Sequence, residues 1–405
     1  MPASILILSS SHLCRNPRVH KEATTLGRAG YAVTVLTVSN HTPSEALDRD
    51  LLADAPFRRR VIDHLAAGGP ARWRALRDRA ATRLARAAVA RLGLQVPAAL
   101  GPTRRLLAAA RRVPADLTIV HCEAPAWVGI RLLDAGRRVA ADFEDWYSED
   151  LLPADRRHRP LALLRRVERA LLHRASYVST TSQAMAAALL GRYGGSLPAV
   201  IRNVFPLPPL PPERPPGRAP VFVWFSQTIG PGRGLEAFLE SWADLTEPPE
   251  VRLLGQISES YRATLLARIP ADRQRALRFD APLPPAVLPA YLADGDVGLA
   301  LEPCEPPNRD LTTSNKVFYY LGAGLAVLAT PTAGQREVFA AVPGIGWLDN
   351  YGNRGAATAR LDRICADREG LRRAQNAART AAEKTFNWER ESRRLLDLVR
   401  TALAR

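Results

Sequence analysis

Three consecutive pieces decide the fold: SILILSS (4–10), PRVHKEATTLGRAG (17–30) and YAVTVLTVS (31–39). Two short apolar runs bracket a segment that opens on Pro17 and closes near Gly27 and Gly30. Proline suits the first turn of a helix, where its missing N–H is not needed, and glycine suits the end. Neither apolar run alternates with polar residues, as a strand with one wet face would. Both therefore predict strands buried on two faces. Strand, helix and strand in so short a span make a βαβ unit, and hence a parallel sheet.

The same pattern continues outward. DLTIVHC (116–122), RRVAADFED (137–145), SYVSTTS (176–182) and AVIRNV (199–204) predict further buried strands. Helical spacing separates them at 71–91, 98–112, 125–135, 160–174 and 183–193. FPLPPLPPERPPGRAP (205–220) follows, where eight of the fifteen residues from Pro206 to Pro220 are proline. Such a stretch continues neither a helix nor a central strand, and reads as a semi-rigid linker more readily than as an SH3-type ligand. The alternation then restarts with VFVWFSQ (221–227), VRLLGQ (251–256), ALRFD (276–280), DVGLAL (296–301) and LAVLAT (325–330), and 354–382 and 389–404 read as helices. The expectation is two doubly wound α/β domains, whose ligands bind beyond the carboxyl ends of the strands, in a cleft between the domains.

Composition excludes several classes. The 405 residues are 47% hydrophobic and 24% charged, too apolar for a disordered chain. The start, MPASILILSSSHLC, lacks a basic region and a small-residue cleavage site, and predicts no secretory leader. The longest uncharged run, Val317 to Gln335, carries three glycines and Pro331 and reads as helix then strand rather than a membrane span. Cys14, Cys122, Cys304 and Cys365 are too scattered for a zinc site or a disulfide framework, so a cytoplasmic setting is expected.

The formal charge of +16 is uneven: residues 57–112 hold fourteen arginines against Asp63 and Asp78. Within them Trp73, Leu76, Ala80, Leu84, Ala87 and Arg91 recur at helical spacing. Basic amphipathic helices read as binders of anionic membrane surfaces, here at the cytoplasmic face. A solvated helix face whose arginines reflect genome composition is the plain alternative. Nucleic acid is not expected, since only Trp73 and Phe57 offer aromatic stacking.

Two segments carry candidate chemistry. FSQTIGPGRGLEAF (225–238) sets Gly230, Gly232, Arg233 and Gly234 between a strand and a helix. Glycines let backbone amides approach a phosphate, the helix start adds partial positive charge, and Arg233 can pair with a diphosphate. NRDLTTSNKVFYYLGAGLAVLAT (308–330) offers Thr312, Thr313, Ser314 and Asn315 as hydroxyls, amides and a helix cap. Lys316 sits in the first turn, where a cation opposes the helix dipole, and a bound anion there would relieve the conflict.

These segments resemble the retaining glycosyltransferases of family 4. The motifs are NPRVHKEATTLGRAGYAVTVLTVS (16–39), ADFEDWYSEDL (141–151), GPGRG (230–234), LADGDVGLAL (292–301) and SNKVFYYLGAGLAVLAT (314–330), with a closing FNWERESRRLLDLV (386–399). They occur in the family's order over nearly the whole chain. The resemblance implies the GT-B fold: two Rossmann-like domains facing across a cleft, and a final helix crossing back. It implies an acceptor-binding domain over 1–204, the linker over 205–220, a nucleotide-sugar domain over 221–385 and the helix over 386–405. The donor is then a nucleotide-diphosphate sugar serving as co-substrate, with no cofactor and no metal. The acceptor is a glycan or a lipid-linked precursor.

By position, Arg233 and Lys316 fall where the family contacts the diphosphate, and Thr312–Asn315 where amides hold the donor phosphates. Leu311 and Tyr319 stand where the family carries two glutamates, Tyr319 at the one that holds the nucleotide ribose. Glu144 stands at a frequent histidine position. Glu144 or Asp145 is expected to orient an acceptor hydroxyl as general base; a Mg²⁺-binding role for Asp142, Glu144 and Asp145 belongs to a different, single-domain fold. His12, Arg15, His121 and Glu123 complete the expected cleft of the first domain, while Arg18 is expected to pair with Glu22 one turn on. The altered glutamates also motivate a second reading, a catalytically silent binding protein of the same fold, and a nucleotide-sugar epimerase is a third.

Overall fold

The computed structural model describes residues 2–209, 218–284 and 286–404. Half of the proline-rich stretch, 210–217, lies outside the described residues. The chain divides into two compact units, Met1–Ile201 with Ser392–Arg405, and Arg202–Glu391.

The first unit begins with β1 (Ser4–Leu8), α1 (Pro17–Arg28), β2 (Ala32–Ser39), α2 (Thr42–Leu52), β3 (Arg58–Asp63) and α3 (Gly69–Leu92). It continues through α4 (Thr103–Arg111), β4 (Leu117–His121), α5 (Glu123–Leu133), β5 (Val139–Phe143), α6 (Leu161–Arg174), β6 (Val178–Thr180), α7 (Gln183–Tyr193) and β7 (Ala199–Val200). The strand order is β3-β2-β1-β4-β5-β6-β7, and every pair is parallel, with Leu6 of β1 opposite Thr34 on one side and Thr118 on the other. Ile5, Leu6, Ile7 and Leu8 are almost wholly buried, as a central strand covered on both faces must be. Pro17 opens α1, and the Asn16 side chain accepts a hydrogen bond from the Val19 amide at 3.1 Å.

The second unit holds β8 (Val221–Ile229), α8 (Leu235–Ala243), β9 (Glu250–Ile257), α9 (Glu259–Leu266), β10 (Leu277–Asp280), α10 (Leu288–Ala293) and β11 (Val297–Ala300). Then come α11 (Pro307–Leu311), α12 (Asn315–Gly322), β12 (Ala326–Ala329), α13 (Ala333–Ala341), β13 (Gly346–Leu348), α14 (Arg354–Ala366) and α15 (Arg368–Lys384). Its sheet runs β10-β9-β8-β11-β12-β13, again wholly parallel. The last helix, α16 (Trp388–Ala404), is counted from Ser392 onward in the first unit, where the Leu403 carbonyl accepts from Arg138 at 3.2 Å.

Four elements depart from what the sequence predicts: α2, β3, α13 and β13. The 98–112 segment splits into a single turn at Pro97–Leu100 and then α4, and 354–382 breaks at Asp367 into α14 and α15. Of 199–204 only Ala199–Val200 pairs as a strand.

In both sheets the strand order reverses once, between β1 and β4 and between β8 and β11. Doubly wound sheets open a crevice at that reversal, beyond the carboxyl ends of the strands. Each unit therefore has one place where a ligand is expected.

Candidate active site

In the second unit the reversal is flanked by the loop after β8 and the residues after β11. Gly232 and Gly234 both take left-handed backbone, with φ of +70° and +73°. A Cβ on Gly234 would also lie 3.0 Å from the Leu301 Cβ, so glycine is required there on two counts. Arg233 is half-buried between them and makes no hydrogen bond or ion pair among the described residues. The loop is tied down from outside, where Arg309 donates to the Gly232 carbonyl at 2.7 Å.

Opposite it stands Glu302, two residues past β11. Its Oε1 accepts from the Lys316 ammonium at 2.6 Å and from the Ser314 hydroxyl at 3.2 Å. Burial alone would raise this carboxyl, but Lys316, Arg233 and Arg309 outweigh it and hold Glu302 below the usual carboxylate range. Lys316 is buried and also lies 5.5 Å above the Trp224 ring centre. Within the chain, Glu302 supplies negative charge to Lys316 at the start of α12, where the sequence suggested a bound anion.

The hydroxyl loop differs from expectation too. Thr312 donates to Asn308 at 3.1 Å, Thr313 to the Gly334 carbonyl at 2.9 Å, and Ser314 to Glu302 rather than capping the helix. These side chains build the loop that leads into α12. Tyr319 stacks on Phe205 with centroids 3.7 Å apart and meets Phe225 edge-on at 5.3 Å. Burial pushes its phenol up to about 12, so it stays neutral. It lines an apolar pocket with Phe205, Pro206, Pro208, Phe318 and Phe386.

In the first unit the reversal gathers four acidic groups. Glu144 and Asp145, just after β5, are half-buried neighbours. Burial and then the Asp145 charge raise Glu144 above the usual carboxylate range. Cys122, between β4 and α5, takes a left-handed φ of +68°, and its amide donates to the Tyr147 hydroxyl at 3.0 Å. Strain at a non-glycine residue clusters at functional sites. Glu123 opens α5 and is paired with Arg159, which also holds Asp150 at 2.7 Å.

His12 and His121 are not open to a ligand. The Nδ1 of His12 faces Asp48 at 3.0 Å, and its Nε2 accepts from the Asn40 and His41 amides at 3.1 and 3.2 Å. The ring is 2% exposed and braces the first loop. Arg15 is exposed on that loop, bonded to Ser44 at 2.9 Å and His41 at 3.0 Å. His121, expected at a rim, is buried: its Nε2 lies 3.1 Å from Glu22 and its Nδ1 4.0 Å from Asp142. Arg18 joins them, 2.6 Å from Asp142 and 3.3 Å from Glu22, and donates to the Ile201 carbonyl at 2.8 Å. The expected Arg18–Glu22 pair is present, inside a larger buried cluster. Lys21, also buried, is driven down to about 7 by desolvation and by Arg18.

Among the described residues two groups have the ligand types of a cation site, His12–Glu45–Asp48 and Glu22–His121–Asp142. Each already holds a guanidinium: Arg59 lies 2.8 Å from Glu45 and 3.0 Å from Asp48, and Arg18 fills the second.

The His121–Glu22 pair has a pH signature. Burial opposes protonation of His121, yet the Glu22 charge outweighs it and raises the imidazole above its ordinary value. A raised folded value stabilises fully below the unfolded value, about 6.5, and fades as pH rises through the folded one. Wild type should therefore exceed His121→Gln in urea stability by more at about pH 5.5 than at about pH 8.5. An equal margin at both would contradict the pair.

No known family model matches the chain, and no curated protein matches it significantly. Solved structures do. Sucrose-phosphate synthase from Thermosynechococcus elongatus covers 99% of this chain and is itself covered over 99%, at 15% identity and a TM-score of 0.73. HepE from Anabaena, solved with UDP-glucose, covers 98% of this chain over 99% of its own, at 17% identity and a TM-score of 0.69. A glycosyltransferase from Rickettsia africae covers 99% of both chains, at 13% identity and a TM-score of 0.66. The fold is GT-B.

In this GT-B chain, Gly230, Gly232, Arg233, Thr312–Asn315, Lys316 and Tyr319 belong to the second unit, and His12, Arg15, His121, Glu123, Glu144 and Asp145 to the first. Glu302 escaped the sequence reading, and so did Asp48. The signal for Glu302 was present: a lone acid two residues past a buried strand, at the strand-order reversal.

Proposed function

We propose that this chain is a retaining glycosyltransferase of the family 4 type, moving a sugar from a nucleotide-diphosphate sugar to an acceptor. One observation carries the reading: Arg233, with no hydrogen bond or ion pair among the described residues, stands between two left-handed glycines at the strand-order reversal of the second sheet, and acts with the buried Lys316 at a helix start on the same carboxylate, Glu302. Phosphate oxygens are what such a constellation binds best. HepE, one of the neighbours in fold, is solved with UDP-glucose, which supports a nucleotide-sugar donor.

The assignment of parts follows. Residues 1–204 bind acceptor, 205–220 link, 221–385 bind donor, and 386–405 form the closing helix. Arg233 and Lys316 offset the charge that grows on the departing diphosphate, the main contribution of the protein. The diphosphate oxygen takes the proton from the acceptor hydroxyl as that hydroxyl attacks the anomeric carbon on the same face. The carbon–oxygen bond to the diphosphate breaks as the glycosidic bond forms. Glu144 and Asp145 orient the acceptor, a glycan or lipid-linked precursor. No metal is assigned.

A second reading, a silent sugar-nucleotide-binding protein, is favoured by Tyr319, whose ring is committed to Phe205 and Phe225 and carries no charge. Titration calorimetry with UDP-, GDP- and dTDP-sugars, followed by acceptor-free hydrolysis, separates the two. Binding with hydrolysis supports the transferase; binding without any turnover, across acceptors too, supports the silent protein. No binding to any nucleotide sugar overturns both.

A further inference from the structure

The helix α3 has two apolar faces, and the fold uses one. Ala75, Ala85 and Val89 point inward and are buried. Asp78 fixes the same side, 3.1 Å from His64 and 2.7 Å from Arg105. On the opposite side Trp73, Leu76 and Leu84, with Ala80 between them, form a stripe at i, i+3, i+7 and i+11. Trp73 is 72% exposed and Leu84 71%. The helical periodicity of the sequence predicts this stripe, and the structure turns it outward, away from the core.

Arginines flank the stripe. Arg72, Arg77, Arg83 and Arg91 are exposed and have neither an ion pair nor a side-chain hydrogen bond among the described residues. Others on the helix are committed, Arg86 to the Ala99 carbonyl and Arg79 to that of His64. Four cations thus stay free beside an uncovered indole and leucines.

We propose that this outer face of α3 docks on the surface of an anionic lipid bilayer. A bilayer surface supplies both halves of the match: acidic headgroups for the arginines and an acyl boundary that accepts Trp73, Leu76 and Leu84 lying in the interface plane. A second copy of the chain would bring the same positive face against itself. A nucleic acid would pair with the arginines but leave the leucines wet and find one aromatic platform. Among the described residues no helix is long and apolar enough to cross a membrane, so the attachment is peripheral. The inference stands apart from the transferase reading.

The test is co-sedimentation of the full chain with phosphatidylcholine vesicles, with and without phosphatidylglycerol. The chain should pellet only with the anionic vesicles and be released by salt. Each free arginine should contribute about fivefold to partitioning, so a variant with Arg72, Arg77, Arg83 and Arg91 changed to Ser should lose more than a hundredfold, roughly. Trp73→Ser with Leu84→Ser should also release the chain, with thermal unfolding unchanged in both variants. Failure of the wild type to pellet overturns the proposal. So does pelleting that survives both variants, capture by single-stranded DNA instead of vesicles, or dimerisation through this face.

Discussion

Arg233→Ala is expected to lower nucleotide-sugar turnover by roughly a hundred- to a thousandfold, the usual loss when one preorganised charge-stabilising group is removed. Thermal unfolding should move little, because among the described residues Arg233 makes no hydrogen bond or ion pair, and Glu302 keeps its 2.6 Å contact with Lys316. Lys316→Ala should lose as much activity but for two mixed reasons. It removes a cation from the site and leaves the buried Glu302 charge without its 2.6 Å partner, a structural penalty in its own right. The double variant Lys316→Met with Glu302→Gln separates them: stability should return while turnover stays low. Turnover near wild type in Arg233→Ala, or recovered turnover in the double variant, would sink the assignment of these two residues.

The other large effect is on stability. Arg18→Met should cost about 3–5 kcal/mol, since it takes the guanidinium from a pocket where Glu22 and Asp142 are both almost wholly buried. Burial already pushes Asp142 up, and Arg18 offsets only part of that. Without Arg18 the carboxyl should remain protonated at neutral pH, seen as an added stability loss on raising the pH. Adding Asp142→Asn should abolish that pH-dependent loss, because an amide at this position has no proton to give up. Urea unfolding followed by a first-unit probe measures both; a cost under about 1 kcal/mol would show that the cluster is not a buried ion network.

Much of the fold was legible because parallel sheets announce themselves as apolar runs. The runs at 4–10, 31–39 and 116–122 needed no neighbour to be recognised, and the helices between them followed from spacing and from Pro17. What stayed hidden was local chemistry masked by position. β3 reads RRRVID, with arginines where a central strand would have valines. It lies at the sheet edge, where charged side chains face solvent and discourage further pairing. Its Arg59 then turns inward to hold Glu45 and Asp48, a use no linear pattern reveals.

The site was legible in part, and for a related reason. Glycines and basic residues at a strand–helix turn stand next to each other in sequence, so Arg233 and Lys316 could be singled out. Partnerships across the sheet could not. His121 and Asp142 face each other because β4 and β5 pair in that register, and Arg18 reaches them from α1. Lys316 meets Glu302 because β11 ends where α12 begins. Hydroxyls at 312–314 looked like ligand contacts since nothing in the sequence shows that Asn308, Gly334 and Glu302 already claim them.

The closing helix α16 has one more consequence. Residues from Ser392 onward belong to the first unit, yet the entire second unit is translated before them. Leu395, Val399 and Ala402 are buried there, so the amino-terminal half leaves the ribosome with an uncovered apolar seat. Domains commonly fold amino-terminal first during synthesis. Here the first to emerge is the last to be completed, and a chain halted before Ser392 would carry that seat exposed, a ready mark for chaperones and proteases.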